Sequence, residues 1–291
     1  MLKIITDSAS DLSEELISRY QLHVIPTPVV IDEVDYLDGK TIQTGEFYKI
    51  LDDTSRDVRT YHINPAMFEE AFMPYAKNGD SVIYLCFSTG IAGTFNAANI
   101  ARDSILEEYP DFDLTIIDSR CASAGFGLLV VKLLTMLEHG ASRETLIEAA
   151  AYYRSHVFTV NTLAYLIKGG RLSKFKGNLA EALDMKPVLI VDEAGSLQVL
   201  KTVRGHKKSL KSLVEYAEEN GAELEKQLVS ICHGEDEEAL RFVTDLIKEK
   251  LHPADIMVSV VGCAIGAHTG RGIIGVCFLD APEDPYMEYL Y

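Results

Sequence analysis

The sequence predicts an α/β fold, with an N-terminal domain built on a parallel sheet and a C-terminal α+β domain built on a mixed sheet. Short apolar runs alternate with amphipathic segments in the first half, as they do in βαβ units. The second half instead contains a hairpin pattern between helical stretches. Because 291 residues with 47% apolar side chains supply material for about two domains, we predict domains at residues 1–155 and 156–291.

The first half repeats the order strand, loop, helix. Its buried-strand runs are rich in Ile, Val and Leu, and loops of small or polar residues separate them from the helical segments. Ser10 or Asp11 is placed to cap the first helix. The predicted strands are 2–6, 23–31, 81–86 and 114–118, and the predicted helices are 12–20, 95–108, 125–138 and about 142–155.

The second half predicts a sheet in which hairpins and helices are mixed. Residues 187–191 and 196–200 flank the acidic, glycine-containing turn 192–195, which is typical of a β-hairpin. The remaining predicted strands are 158–160, 227–232, 256–261 and 273–279, and the predicted helices are 162–168, 207–220 and 235–250.

The composition argues against several classes of protein. With 27 Lys and Arg against 44 Asp and Glu, the net charge of −17 argues against binding to nucleic acid or to an anionic membrane surface. The five Cys include no CxxC pair and the eight His include no HExxH pattern, so we expect no metal and no other cofactor. No apolar run approaches the ~18 residues of a membrane span, and no export signal is recognisable. We therefore expect a cytoplasmic protein without stable membrane insertion.

One segment departs from the overall acidity. Residues 168–211 contain ten Lys or Arg and four Asp or Glu, a local charge of +6. The Gly-Gly-Arg turn at 169–171 lies in this segment, and we expect an exposed loop there. The basic cluster is either a chance feature of a solvated face or a patch for a phosphate or an acidic partner protein. The sequence leaves both interpretations open.

Three segments rich in hydroxyl groups and glycine, at 6–8, 88–94 and 266–270, lie near the ends of predicted strands. The carboxyl ends of parallel strands form a ligand crevice, and a Ser/Thr/Gly loop that opens a helix offers N–H and hydroxyl donors to an anion. The alternative is that Ser88 and Thr89 only cap the following helix. The sequence contains no nucleophile elbow, Walker loop or Gly-x-Gly-x-x-Gly motif.

Four segments together, in order along the whole chain, resemble the DegV family of bacterial fatty-acid-binding proteins. They are MLKIITDSASDL at the start, FSTGIAGTFNAA at 87–98, IKGGRLS at 167–173 and IGAHTGRG at 265–272. The family includes binding subunits of fatty acid kinase. The resemblance implies a DegV-like fold in which the N-terminal domain carries the carboxylate-binding loops and the C-terminal domain completes the lipid pocket.

The resemblance also implies a function. One long-chain fatty acid would lie in a tunnel, and its carboxyl group would be presented to the catalytic subunit of a fatty acid kinase. The kinase would phosphorylate the carboxyl group with ATP to an acyl phosphate, a step that serves phospholipid synthesis. The binding protein itself would be no enzyme and would carry no ATP site.

The family motifs place candidate site residues in this chain. The family's Thr-Ser-Gln-Pro-Ser stretch corresponds to residues 60–64, where only the threonine is kept, and its Ser-Ser-x-Leu-Ser-Gly-Thr loop corresponds to 88–94. The implied ligands of the fatty-acid carboxylate are Thr60, Ser88, Thr89 and His268. The implied residues of the pocket mouth are Tyr61, His62, Thr269 and Gly270. The turn implicated in kinase docking contains Gly170 and Arg171.

A second class of function stays open on the sequence. Ser88 or Thr89 with His268 as a base would make a hydrolase or phosphotransferase, provided that folding brings these residues together. The sequence identifies no third residue that would orient the histidine. A DNA-binding regulator is disfavoured because the sequence has no helix-turn-helix pattern and its net charge is −17.

Overall fold

The structure, a computed structural model, describes residues 1–152, 155–172, 184–280 and 285–286. The strands before residue 153 are β1 (Leu2–Asp7), β2 (His23–Ile25), β3 (Pro28–Ile31), β4 (Val34–Leu37), β5 (Val58–Thr60), β6 (Ser81–Cys86) and β7 (Leu114–Asp118). The α-helices of this part are α1 (Glu14–Tyr20), α2 (Thr44–Leu51), α3 (Pro65–Asn78), α4 (Thr94–Glu108), α5 (Ser123–Glu138) and α6 (Arg143–Ala149).

The part of the chain after residue 154 supplies a second set of elements. Its described strands are β8 (Ser155–Thr159), β9 (Met185–Val191), β10 (Leu197–Arg204), β11 (Leu228–His233), β12 (Asp255–Val260) and β13 (Ile274–Phe278). Its described helices are α7 (Ala164–Lys168), α8 (His206–Asn220), α9 (Glu237–Lys250) and α10 (Cys263–Thr269).

The N-terminal domain is built on a parallel sheet with the strand order β2-β1-β6-β7. Helices α3 and α4 cover one face, and α5 covers the other. Because a parallel sheet is buried on both faces, its central strands are continuous apolar runs. Strand β6 follows this rule, since every residue from Val82 to Cys86 is buried. The predicted parallel α/β domain is confirmed.

The C-terminal domain is built on a mixed sheet with the strand order β10-β9-β8-β13-β11-β12. Strands β11 and β12 pair in parallel, and the other neighbours pair antiparallel, including the predicted β9–β10 hairpin. Helices α8 and α9 pack on one face of this sheet. The predicted mixed sheet is confirmed.

Helix α5 lies between the two sheets and is buried along nearly its whole length. Phe126 and Leu129 pack toward the parallel sheet, whereas Leu128 and Val131 pack with residues of the mixed sheet. A helix that is apolar on all sides is typical of such a position. The apolar content of the predicted helix 125–138 therefore reflects packing between two sheets.

The structure divides the predicted strand 23–31 into β2 of the parallel sheet and β3 of a third, small antiparallel sheet with the order β4-β3-β5. The other two strands of this sheet were not predicted, nor were α2, α3 and α10. The strands of the small sheet have three or four residues each, too few for a clear alternation of apolar and polar side chains. Helix α10 packs against β3 and β5 and against α2 through Phe47 and Tyr48. The small sheet therefore links the N-terminal domain to a helix of the C-terminal half.

The predicted cap of the first helix is wrong. Ser13 caps α1, since its side chain accepts a hydrogen bond from the Leu16 N–H group at 3.3 Å. Asp11 instead adopts a left-handed backbone conformation and is buried. Its carboxylate accepts hydrogen bonds from Ser123 Oγ at 2.5 Å and from the Gly262 N–H group at 2.9 Å. The aspartate binds distant parts of the chain, which a local capping pattern does not reveal.

The division into domains 1–155 and 156–291 stays a prediction. Its boundary adjoins residues 153–154, which lie outside the described residues, and the strands on either side belong to different sheets. Within the described ranges, no helix has the length and apolar character needed to cross a membrane. The same residues contain no group of three or more potential metal ligands.

Candidate functional site

A deep cavity lies between the carboxyl ends of the parallel strands and one face of the mixed sheet. The empty space within it, together with the open solvent at its mouth, amounts to about 900 Å³. Most of its wall is apolar and comes from both halves of the chain: Ala9, Phe87, Ile91, Ala92, Val157, Phe158, Leu166, Val191, Leu197, Ile265 and Ile273. The walls therefore suit a long apolar ligand.

A threonine and a histidine meet at the polar part of this wall. Thr60 is the last residue of β5, and His268 lies in the last turn of α10. The distance between Thr60 Oγ1 and His268 Nε2 is 2.6 Å, a short hydrogen bond. Both residues line the cavity. The structure thus brings together two of the four predicted carboxylate ligands.

Two buried aspartates hold the beginning of α10. The Asp38 carboxylate accepts hydrogen bonds from the Cys263 N–H group at 2.9 Å and from the Ala264 N–H group at 3.2 Å. Asp11 accepts the Gly262 N–H group. These bonds satisfy N–H groups that the short helix leaves without intrahelical partners. These bonds fix the position of α10, whose last turn contains His268.

His268 is neutral at ordinary pH. Burial and, to a lesser extent, the positive charge of Arg171 together lower its pKa to about 4. Its Nδ1 atom is buried and has no hydrogen-bond partner among the described residues. Since an unpaired buried N–H group is rarer than an unpaired acceptor, the proton belongs on Nε2, which donates to Thr60 Oγ1. The Thr60 hydroxyl is then free to donate into the cavity.

Gly169 makes room for this histidine. A Cβ atom built on Gly169 would lie 2.1 Å from His268 Nδ1 and 2.7 Å from its Cε1, far inside van der Waals contact. Any side chain at position 169 therefore displaces the imidazole. The Gly-Gly-Arg turn consequently helps to place the Thr60–His268 pair, a role that the sequence motif did not indicate.

Asp7, which the sequence analysis did not select, also lines the cavity. Its carboxylate accepts hydrogen bonds from Tyr84 Oη at 2.8 Å and from the N–H groups of Ala9 and Phe87, each at 3.1 Å. Burial raises its pKa to about 6. The aspartate therefore joins the loops that follow β1 and β6, and the sequence signal for it was its place in the segment 6–8 at the end of a predicted strand.

Ser88 and Thr89 are directed away from the cavity, and neither contacts His268. Ser88 is fully buried and its Oγ donates to the Gly195 carbonyl oxygen at 2.7 Å, in the turn of the β9–β10 hairpin. Thr89 is exposed, and its Oγ1 donates to the Asp118 carboxylate at 2.5 Å. Neither residue is among those that line the cavity, whereas Ala92 of the same loop is.

The remaining candidates divide between the cavity and its surroundings. Tyr61, His62 and Thr269 line the cavity, while Gly170 and Gly270 do not. Arg171 lines it as well and is half-buried, so the predicted exposed loop is wrong at this residue. Burial of the neighbouring Leu166 and Leu172 draws the turn inward. Residues 173–183 of the basic segment lie outside the described residues.

The low pKa of His268 predicts a pH-dependent stability. The unfolded chain binds a proton at this histidine near pH 6.5, whereas the folded protein binds it only near pH 4. The free energy of unfolding should therefore fall as pH is lowered through this range, by up to about 3 kcal/mol. Denaturant titrations at several pH values should show a smaller fall in the free energy of unfolding for His268→Gln than for wild type. Asp7, which also titrates in this range, is present in both proteins and does not distinguish them. Equal pH dependence would contradict the assignment.

Comparison with known proteins gives one consistent family. The family model described as "Uncharacterised protein, DegV family" matches residues 1–281. A DegV domain-containing protein of Clostridium perfringens is 34% identical over 287 residues, covering 97% of this chain and 98% of the relative. The match extends over both sheets and the cavity between them.

Solved structures share this fold. The stearic acid-binding protein of Eubacterium ventriosum is 28% identical, with a TM-score of 0.84 over 96% of this chain and 98% of that chain. The Fatty Acid Kinase (Fak) B3 protein of Streptococcus pneumoniae, loaded with linoleic acid, has a TM-score of 0.84 over 97% of this chain and 100% of that chain. Its identity is 22%, so this second likeness concerns the fold alone.

Proposed function

The chain belongs to the DegV family, and from this premise and the cavity geometry we propose that it binds a long-chain fatty acid and presents the carboxyl group to a partner kinase. The acyl chain would lie along the apolar walls, and the carboxylate would lie at the Thr60–His268 pair. The observation that carries the proposal is this neutral donor pair in a cavity whose wall is mostly apolar. The structure of the 28% identical stearic acid-binding protein supports the choice of ligand.

The apolar walls account for affinity. Burial of one methylene group contributes ~0.8 kcal/mol, so about fourteen methylenes contribute on the order of 11 kcal/mol before the costs of binding. The head group then requires orientation more than strong attraction. A hydroxyl donor leaves the other lone pairs of the carboxylate accessible, which a reaction at that oxygen requires.

His268 acts through Thr60 in this proposal. Its Nε2–H group donates to Thr60 Oγ1, and the threonine hydroxyl donates to the carboxylate. The histidine is therefore a positioning residue that fixes the direction of the hydroxyl proton. Ser88 and Thr89 play structural roles, joining the cavity loop to the β9–β10 hairpin and to β7.

The geometry does not favour the enzyme alternative. Ser88 and Thr89 have no contact with His268, so neither hydroxyl has a base beside it. Thr60 does contact the histidine. Among the described residues, however, His268 Nδ1 has no carboxylate partner of the kind that orients a catalytic base. A pKa of about 4 also makes His268 a weak base.

In the proposed kinase step, the chain presents its bound fatty acid for ATP-dependent conversion to an acyl phosphate. The catalytic subunit of a fatty acid kinase would transfer the γ-phosphoryl group of ATP to a carboxylate oxygen and release ADP. The test combines that subunit, ATP and the fatty-acid-loaded chain, and traps the acyl phosphate with hydroxylamine. We expect acyl hydroxamate only when all components are present. Fatty-acid binding without any hydroxamate would contradict the kinase role and leave the binding role intact.

A further inference from the structure

Strand β10 lies at one edge of the mixed sheet and, among the described residues, pairs with β9 alone. On its other side, an edge strand presents backbone N–H and C=O groups that take no part in the sheet ladder. A bulge between Val199 and Lys201 leaves Leu200 without a partner on β9, and the Leu200 side chain is exposed. Strand β10 therefore offers backbone groups and an apolar side chain to a further strand.

Exposed basic side chains surround this edge and belong to the basic segment that the function proposed above does not use. They are Lys201 and Arg204 of β10 and Lys207, Lys208 and Lys211 at the beginning of α8, and we call these five residues the basic edge. Residues 195–214 contain no Asp or Glu. Within the described ranges, none of the five side chains forms an ion pair. The basic edge is thus an uncompensated positive surface on a chain with a net charge of −17.

The basic edge places positive charge on both faces of the sheet. Val203 packs with the apolar residues of α8, and Lys201, two residues earlier, lies on the same face of β10. Arg204 follows Val203 directly and therefore lies on the opposite face. The side chains of an added strand would alternate between the same two faces, so that acidic side chains on either face would meet a positive charge.

We propose that the free edge of β10 binds an acidic, extended segment of a partner protein, which adds a strand to the mixed sheet. The backbone of the segment pairs with the free N–H and C=O groups of β10, and its Asp or Glu side chains pair with the basic edge. Nucleic acid and anionic membranes offer no backbone that matches a strand edge. The net charge of −17 also opposes their approach to the rest of the chain.

A second copy of β10 does not match this edge. Antiparallel pairing of two β10 strands would bring Lys201 and Arg204 of one strand close to the same residues of the other, and like charges across a strand pair are destabilising. Lysines and bulges on edge strands are a common means of preventing such self-pairing. The charge that disfavours an identical strand is the charge that an acidic strand compensates.

The basic edge is separate from the fatty-acid cavity. None of its five residues lines the cavity, whereas Leu197 at the other end of β10 does. Variants of the basic edge should therefore keep the wild-type affinity for fatty acids and a cooperative unfolding transition. The role of this edge and the proposed function can consequently fail independently of each other.

The experiment measures the binding of fluorescently labelled peptides to the full chain by anisotropy. The probe peptide repeats Glu-Glu-Thr-Thr and has the length of β10, 8 residues. A second peptide has Gln in place of Glu, and a third keeps the Glu residues but is N-methylated at alternate backbone positions. We expect the probe peptide to bind at least about tenfold more tightly than either of the others, and its affinity to fall as salt is added.

Charge reversal on β10 tests the basic edge itself. Lys201→Glu combined with Arg204→Glu should lower the affinity for the probe peptide at least about tenfold. The matched control combines Lys77→Glu with Lys248→Glu, which makes the same change in net charge at exposed positions of α3 and α9. The control should keep the wild-type affinity for the peptide.

Hydrogen exchange distinguishes an added strand from a purely electrostatic contact. When the probe peptide is bound, backbone amides of β10 (Leu197–Arg204) should exchange more slowly. Equal affinity of the N-methylated peptide, or unchanged exchange in β10, would overturn strand addition.

The remaining outcomes decide the occupant. Failure of the probe peptide to bind wild type, or equal binding to the charge-reversed variant, would overturn the proposal and leave the basic edge as a protection against self-pairing. Self-association of wild type that charge reversal abolishes would instead assign the edge to a second copy of the chain. If the charge-reversed variant does not fold, Lys201→Gln combined with Arg204→Gln should show a smaller loss of peptide affinity in the same direction.

Discussion

Gly169→Ala is expected to lose most of the protein's affinity for long-chain fatty acids. The added Cβ would lie 2.1 Å from His268 Nδ1, so the imidazole must leave its position and its hydrogen bond to Thr60. The Thr60 hydroxyl then loses the donor that fixes its direction. We expect the affinity to fall at least tenfold, which corresponds to about 1.4 kcal/mol. Isothermal titration with a C16 or C18 acid measures the loss.

A double variant tests the stated cause. In His268→Ala the ring that collides with position 169 is absent, so adding Gly169→Ala to that background should cost little more. Additive losses of affinity in the double variant would show that Gly169 acts elsewhere. Gly45→Ala is a suitable control, because a Cβ atom built on Gly45 would meet only Glu235 Oε1, at 3.7 Å. Gly79→Ala offers a poor match, because the φ of +67° at Gly79 strains any substitution.

Thr60→Val is expected to weaken fatty-acid binding by ~1–3 kcal/mol, or roughly 5- to 150-fold. The substitution removes the hydroxyl donor and keeps the branched shape, so the cavity volume and the fold should be preserved. Displacement of a bound fluorescent fatty acid measures the change in affinity. Because the buried His268 Nε2–H group loses its acceptor, the melting temperature should fall modestly. A cooperative unfolding transition would show that the variant is folded and that the loss of affinity concerns the head group.

Thr89→Val is the matched control for this prediction. It makes the same chemical change in a residue whose hydroxyl donates to Asp118 and does not line the cavity. We expect wild-type affinity. If Thr89→Val weakened binding and Thr60→Val did not, the carboxylate would lie at the 88–94 loop, as the family motif implies, and the head-group site described above would be wrong.

The two large sheets were predictable because their signals are strong and local. Strands β1, β6 and β7 are short runs rich in Ile, Leu and Val, each followed after a loop by a helix. The β9–β10 turn has an acidic, glycine-containing sequence. Strands β4 and β5 of the small sheet, and helix α10, lack such signals. Helix α10 contains only seven residues, including a glycine, and it depends on Asp11 and Asp38 from more than 200 residues earlier. Local propensity cannot report a contact over that separation.

The candidate site shows the same distinction. The sequence resemblance placed Thr60 and His268 in one site, and the structure brings them together across 208 residues. The resemblance could not show the direction of a side chain. Thr89 has the required hydroxyl, but Asp118 at the end of the neighbouring strand β7 binds it. Arg171 follows two glycines and resembles an exposed turn, yet the burial of Leu166 and Leu172 places it in the cavity wall.

Native mass spectrometry of the purified protein tests the central claim most directly. We expect a fraction of the protein to carry a non-covalent adduct of ~250–285 Da, the mass of a C16–C18 fatty acid, the chain length used for the burial energy above. The adduct should be released on denaturation, and Gly169→Ala should be isolated largely without it. A spectrum of the bare chain alone, unchanged after incubation with C16–C18 acids, would contradict the assignment of the cavity to a fatty acid.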